Sequence, residues 1–158
     1  MQDDPHQTFM RQAIHLSREN VRRNGGPFGA VIVKDGLVIG EGWNQVTATN
    51  DPTAHAEVQA IRMACANQKN FELVGAVIYT SCEPCPMCLS AIYWARLEKI
   101  YYANTKHDAA DIQFDDQFIY QEIAKDLGHR AIAMRQLLRD EALQVFVDWR
   151  NNVTRIQY

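Results

Sequence analysis

Pro84-Cys85-Pro86-Met87-Cys88 is the stretch on which the reading of this chain turns. Upstream lies His55-Ala56-Glu57, and the 27 residues 58–84 separate Glu57 from Cys85. Together they spell H-x-E…P-C-x-x-C. Cysteine thiolates and histidine imidazoles are zinc ligands. Cys85 and Cys88 are three apart, which puts both on one side of a helical turn. Pro86 suits the first helical position, so Cys85 falls near an N-cap. Asp51-Pro52-Thr53 is a helix-start signal just ahead of His55. Two helix N-termini then converge on one metal, and their positive ends favour thiolates.

The upstream pair adds a constraint. Residues two apart on a helix point roughly 200° away from each other. His55 and Glu57 therefore share a site only if it lies over the end of their helix. Three ligands leave a fourth position open for water, the mark of a catalytic zinc. Glu57, not a ligand, is then available to carry protons. The rival arrangement adds Cys82 to the set and closes it as a structural Cys3His site. That rival leaves Glu57 without a role and takes its fourth ligand from a strand end.

Working outward, the 158 residues read as one domain, 1–158, long enough to bury a substantial core. The 47% apolar and 22% charged shares are those of an ordinary globular protein. Sixteen basic against 19 acidic side chains give a net charge of −3, which argues against a nucleic-acid surface. Four cysteines at metal-like spacing suggest ligands in a reducing compartment rather than a disulfide framework. Met1-Gln2-Asp3-Asp4-Pro5 has no signal pattern, and no apolar run approaches the roughly 20 residues of a membrane span. The expectation is a cytoplasmic protein with no membrane partner.

Phe9, Ala13, Leu16 and Val21 predict an opening amphipathic helix, ended by Asn24-Gly25-Gly26-Pro27. Strands over Ala30–Val33 and Leu37–Gly42 flank an Asp35-Gly36 hairpin turn. Trp43–Asn50 reads as a polar loop. A helix over Thr53–Gln68 presents Val58, Ile61 and Cys65 as its apolar face. A strand at Ala76–Thr80 feeds the cysteine-rich turn, which opens a helix to about Ala95. Another strand covers Ile100–Ala103. Thr105–Asp116 is irregular with room for a short helix, and Phe118–Ala124 is helical. Ala131–Met134 is expected as a short fifth strand. Asp140 is expected to cap a last helix over Glu141–Arg150, with Leu143, Phe146, Val147 and Trp149 packing. His6, His15, His107 and His129 read as solvated. Helices alternating with strands after a hairpin imply an α/β protein with a mixed sheet and helices on both faces.

These residues resemble the cytidine deaminase-like superfamily, and within it the bacterial guanine deaminases. The likeness runs almost end to end. It is carried by Gly26–Val33, Asn50–Glu57, Tyr79–Cys88, Ile92–Arg96, Phe114-Asp115-Asp116 and the terminal Tyr158. The His-Glu and Cys-Cys cores belong to the whole superfamily and do not choose a substrate. The Phe-Asp-Asp segment and the terminal tyrosine are more specific. The resemblance implies a three-layer α/β/α sandwich with a five-stranded mixed sheet. It also implies a homodimer that exchanges C-terminal segments of about 140–158.

By the same resemblance, His55, Cys85 and Cys88 hold one zinc ion per chain and Glu57 is the proton shuttle. Asn44 and Asp116 would hydrogen-bond the purine, with Asp115 able to exchange roles with Asp116. The alternatives are a turn amide for Asn44 and a helix cap for Asp116. Phe28 and Trp94 are candidate walls of the base pocket, or core. Tyr158 would close the site from the other subunit. The implied reaction is hydrolytic deamination of guanine to xanthine and ammonia by a zinc-activated water. Guanosine deamination, tRNA adenosine deamination and a non-enzymatic zinc module are the rivals.

Overall fold

The computed structural model describes residues 4–114 and 116–158. Met1-Gln2-Asp3 and Asp115, the alternative to Asp116, lie outside the described residues. The chain divides into a unit ending at Gln117 and a second unit, Phe118–Tyr158.

Helix α1 (Pro5–Arg22) starts on Asp4, whose side chain accepts from the His6 N–H. It covers one face of a sheet built from β1 (Gly29–Lys34), β2 (Leu37–Trp43), β3 (Ala76–Cys82) and β4 (Lys99–Asn104). The strand order is β2-β1-β3-β4. β1 is antiparallel to β2 and β3, and β3 runs parallel to β4. Asp35 and Gly36 both have positive φ, the signature of the hairpin turn expected there. The period-2 alternation of β1 divides the core. Val31 and Val33 pack with Ala13 and Tyr79 toward α1. Ala30 and Ile32 face the opposite way, toward Ala56, Ala60 and Ile92. That second face is covered by α3 (Ala56–Gln68) and α4 (Pro86–Trp94). The first unit is therefore layered helix, sheet, helix.

One short helix was not expected: Val46–Thr49 (α2) interrupts the expected polar loop. Lys106–Asp111 (α5) is the short helix for which Thr105–Asp116 left room. The apolar face of α3 also differs from expectation. The fully buried stripe is Ala56, Ala60 and Ala64, while Ile61 and Cys65 are only partly buried against it. The reason is close approach: a Cβ on Gly42 would lie 2.1 Å from the Ala56 carbonyl oxygen, and one on Gly40 2.5 Å from that of Ala60. Bare strand backbone faces small helix side chains, and α3 lies directly on β2. His6 is not merely solvated. Its Nδ1 is 2.7 Å from the Tyr79 hydroxyl and its Nε2 is 3.4 Å from that of Tyr101.

The second unit contains the rest of α6 (Gln117–Ala124), a 3-10 turn at Leu127–His129 and α7 (Arg139–Asn151). None of its residues is buried. Ala131–Met134 is not a strand, and the sheet among the described residues has four strands rather than five. A strand exists only as part of a ladder, and this segment has none, with Ile132 82% exposed. Helix α7 starts one residue before Asp140, on Leu138 in the left-handed region. Asp140 therefore sits in the first turn rather than at the cap, where its charge still suits the helix dipole. Leu143, Phe146, Val147 and Trp149 are exposed in this chain, not packed. Among the described residues no helix is long and apolar enough to cross a membrane.

Candidate active site

His55 is the N-cap of α3, in extended conformation, and Glu57 sits in the first turn of the same helix. Cys85 is the N-cap of α4 with Pro86 immediately after it. Its Sγ accepts from the Cys88 N–H at 3.5 Å, as a capping side chain does. The two helix ends meet as the spacing required. His55 Nδ1 lies 3.6 Å from Cys85 Sγ and 3.5 Å from Cys88 Sγ. A tetrahedral zinc with ordinary Zn–S and Zn–N bonds needs its sulfur and nitrogen donors about 3.5 Å apart. The three donors fit that ion. They form the one group with metal-ligand geometry among the described residues, with all ligand atoms within 4.8 Å of one another.

Cys82 is not in that group. Its Sγ donates instead to the Thr105 carbonyl oxygen at 3.6 Å. Burial, with the negative charges of Glu57 and Asp116, pushes its thiol up to about 11. The hydrogen bond to Thr105 turns its sulfur to the β4–α5 turn rather than to the His55–Cys85–Cys88 group. The donor set among the described residues is accordingly the three-residue one.

Cys85 is held down to about 4, chiefly by the neighbouring Cys88 side chain, assisted by His55 and the Cys88 backbone N–H. Cys88 is pushed up by the neighbouring Cys85 and by burial. His55 is raised, chiefly by its hydrogen bond to Cys85. Glu57 is buried beside them, with Oε2 accepting from Cys88 Sγ at 3.4 Å. Burial pushes its carboxyl above the ordinary value, and the Cys85 thiolate pushes the same way. A carboxyl so raised can hold a proton as well as release one.

The remaining expected residues are placed unequally. Asn44 is buried where β2 ends, and its Oδ1 accepts from the Val46 N–H at 3.3 Å. It thus makes the turn contact that was the alternative reading of this amide. Phe28 is half-buried and meets Phe114 edge-on at 5.0 Å between ring centres. Asp116 is half-buried, its Oδ1 atom is buried, and its charge reaches Cys82. Trp94 is the last residue of α4, 62% exposed. Eight residues of helix rise carry it roughly 12 Å from the end that bears Pro86. The structure does not bring it to its own chain's metal ligands. Tyr158 is exposed in the second unit.

Comparison with known proteins agrees with this geometry. The model of the cytidine and deoxycytidylate deaminase zinc-binding region matches residues 3–104. The chain belongs to this deaminase family. Guanine deaminase of Bacillus subtilis (strain 168) is 53% identical over 154 residues, covering 97% of this deaminase and 99% of that protein. An X-ray structure of guanine deaminase from Bacillus subtilis superposes with a TM-score of 0.94 at 52% identity, covering 97% and 98% of the two chains. A tRNA-specific adenosine deaminase of Agrobacterium fabrum (strain C58) is 45% identical over 113 residues, 72% of this deaminase and 74% of that protein. Zinc is the metal of this family, and the donor set here suits one ion per chain.

The deaminase also uses a residue that the sequence did not single out. Asn20, near the end of α1, is buried. Its Nδ2 donates to the carbonyl oxygens of Gly26, at 2.8 Å, and Asn44, at 2.7 Å. It braces the entry to β1 against the exit of β2, where Phe28 and Asn44 stand. An asparagine on a helix is ordinarily solvated. Only the Gly-Gly-Pro turn that follows hinted that something must hold it.

Proposed function

We propose that this chain hydrolyses guanine to xanthine and ammonia. The observation that carries the reading is the three-donor site with the buried Glu57 beside it, within a chain that matches a guanine deaminase over nearly its full length. His55, Cys85 and Cys88 would hold the zinc. When bound, it supplies a Lewis acid that lowers the pKa of water to near neutral. Glu57 takes the proton from the water that attacks C2 of the base. It delivers a proton to ring N3 and then helps the exocyclic amino group leave as ammonia. One carboxyl can act as base and then acid because each transfer resets it.

Recognition of the base falls to Asn44 and Asp116, with Phe28 as a wall. A carboxylate only accepts, which suits the N–H edge of guanine. Trp94 is not assigned to its own chain's pocket. The chain is further proposed to act as a homodimer that exchanges its C-terminal segment, about 140–158, within a single deaminase domain over 1–158. The support is the second unit, which buries nothing and leaves Phe146 68% exposed. A second copy of the chain would cover such a surface. Tyr158 then closes the partner's site. The four cysteines are free thiols, which suits a reducing, cytoplasmic setting.

The test is ammonia release from guanine, guanosine, adenine, cytosine and a tRNA anticodon stem-loop, each at the same enzyme concentration. Turnover of guanine ahead of the others supports the reading. Turnover of the stem-loop alone would transfer the chain to the RNA-acting branch. Turnover of guanosine ahead of guanine would make ribose part of the substrate.

A further inference from the structure

Glu83 stands between the metal-binding turn and the segment that leads to Asp116, and it is bonded to that segment twice. Its backbone N–H donates to the Asn104 carbonyl oxygen at 2.8 Å, and its Oε2 accepts from the Lys106 N–H at 3.1 Å. Cys82, one residue earlier, donates to Thr105. The β3–α4 turn that presents Cys85 is therefore fastened to the β4–α5 turn. Beyond that point local hydrogen bonds tie the segment together. Thr105 and Asp108 form a reciprocal capping box on α5, with Thr105 N–H and Oγ1 both 2.7 Å from Asp108 Oδ2. The Phe114 N–H returns to the Ala109 carbonyl oxygen at 3.0 Å, and its ring meets Phe28. Asp116 follows two residues later. Displacement of the start of α5 would thus be passed to Phe114, two positions before Asp116 in the chain, while the metal donors keep their own caps.

We propose that Glu83 is a positioning residue: it ties the metal-binding turn to the α5–Asp116 segment and so sets affinity for the purine base rather than the rate of the chemical steps. This rests on the reading that Asp116 contacts the base. The side-chain bond can be broken from either end. Glu83→Ala removes the acceptor. Lys106→Pro removes the donor at the first helical position of α5, where proline is well tolerated, and Thr105 before it is already extended. Lys106→Ala keeps the N–H and controls for the lost side chain. Glu83→Gln keeps an accepting oxygen.

The experiment measures kcat and KM for guanine in zinc-loaded protein, zinc per chain, and guanine affinity by calorimetry in a Glu57→Gln background. Glu83→Ala and Lys106→Pro should each weaken guanine binding about tenfold, the worth of one charge-assisted hydrogen bond. KM should rise in step, with kcat little changed and one zinc per chain retained. Glu83→Gln should recover most of the loss, and Lys106→Ala, which keeps the N–H, should bind guanine clearly more tightly than Lys106→Pro. If Glu83→Ala does not fold, the contrast between Lys106→Pro and Lys106→Ala decides. Unchanged affinity in the folded variants overturns the inference, as does a fall in kcat or zinc content at constant affinity, or a Lys106→Ala variant as impaired as Lys106→Pro. If the wild-type chain is inert on guanine, the proposed reaction itself fails, and the inference fails with it. An active wild type with unaffected variants overturns the inference alone.

Discussion

Glu57 is a carboxylic acid kept out of water in the first turn of a helix, one of whose neighbours is a thiolate. Burying such a group costs free energy, so its presence there calls for a role other than stability. Glu57→Gln preserves its shape and removes its proton. The variant should keep one zinc and its thermal stability, yet lose guanine turnover by about 10²–10⁴-fold. Near-normal turnover would remove the proton carrier from the account. Cys82 makes the opposite case. Its thiol is spent on the Thr105 carbonyl, outside the His55–Cys85–Cys88 group. Cys82→Ser should therefore retain a full zinc complement in metal analysis, whereas Cys85→Ser or Cys88→Ser should lose it. Equal loss from all three variants would restore the closed Cys3His site. At this scale the sequence was highly legible. Metal ligands carry their meaning in residue type and spacing, and a cysteine followed by proline announces its own helix cap. Asn44 was less legible, because the same amide serves a turn and a ligand equally well, and the structure shows it already bonded to Val46.

Among elements, the metal site depends on how closely α3 approaches β2. Gly42 leaves no room for a methyl group against the backbone of Ala56, the residue after His55. Gly42→Ala should push the start of α3 away from the sheet. An overpacked contact of this kind costs about 1–3 kcal/mol, visible in a denaturant titration. Zinc should be bound more weakly as well, because His55 moves with the helix while Cys85 and Cys88 do not. Full zinc affinity at reduced stability would show that the site tolerates the shift. This contact was not legible in the sequence. Periodicity favoured the larger Val58 and Ile61, while alanine is too small to stand out as a core residue. The stripe of Ala56, Ala60 and Ala64 makes sense only once the glycines opposite it are known. The expected fifth strand failed for a related reason. Ala131–Met134 has strand-like residues, but strand formation depends on a neighbouring ladder that the local sequence does not specify.

At the scale of the molecule, the two units differ in kind. The first has two apolar clusters on opposite faces of its sheet, and the second has no buried residue. The proposed exchange would cover this 41-residue segment with a second copy of the chain. Mixing tests this. A chain lacking Tyr158 and a Glu57→Gln chain should each be nearly inactive. Once subunit mixing is verified, a mixed dimer with exchanged tails would hold one complete site and regain guanine turnover. No recovery would mean that each tail serves its own chain. The most direct test of the whole account is xanthine formation from guanine by the intact protein, stripped of metal and then resupplied. The account predicts that xanthine formation stops on chelation and returns in proportion to zinc, levelling at one ion per chain. Xanthine formation that persists in metal-free protein, or zinc-loaded protein that leaves guanine unchanged, would contradict it.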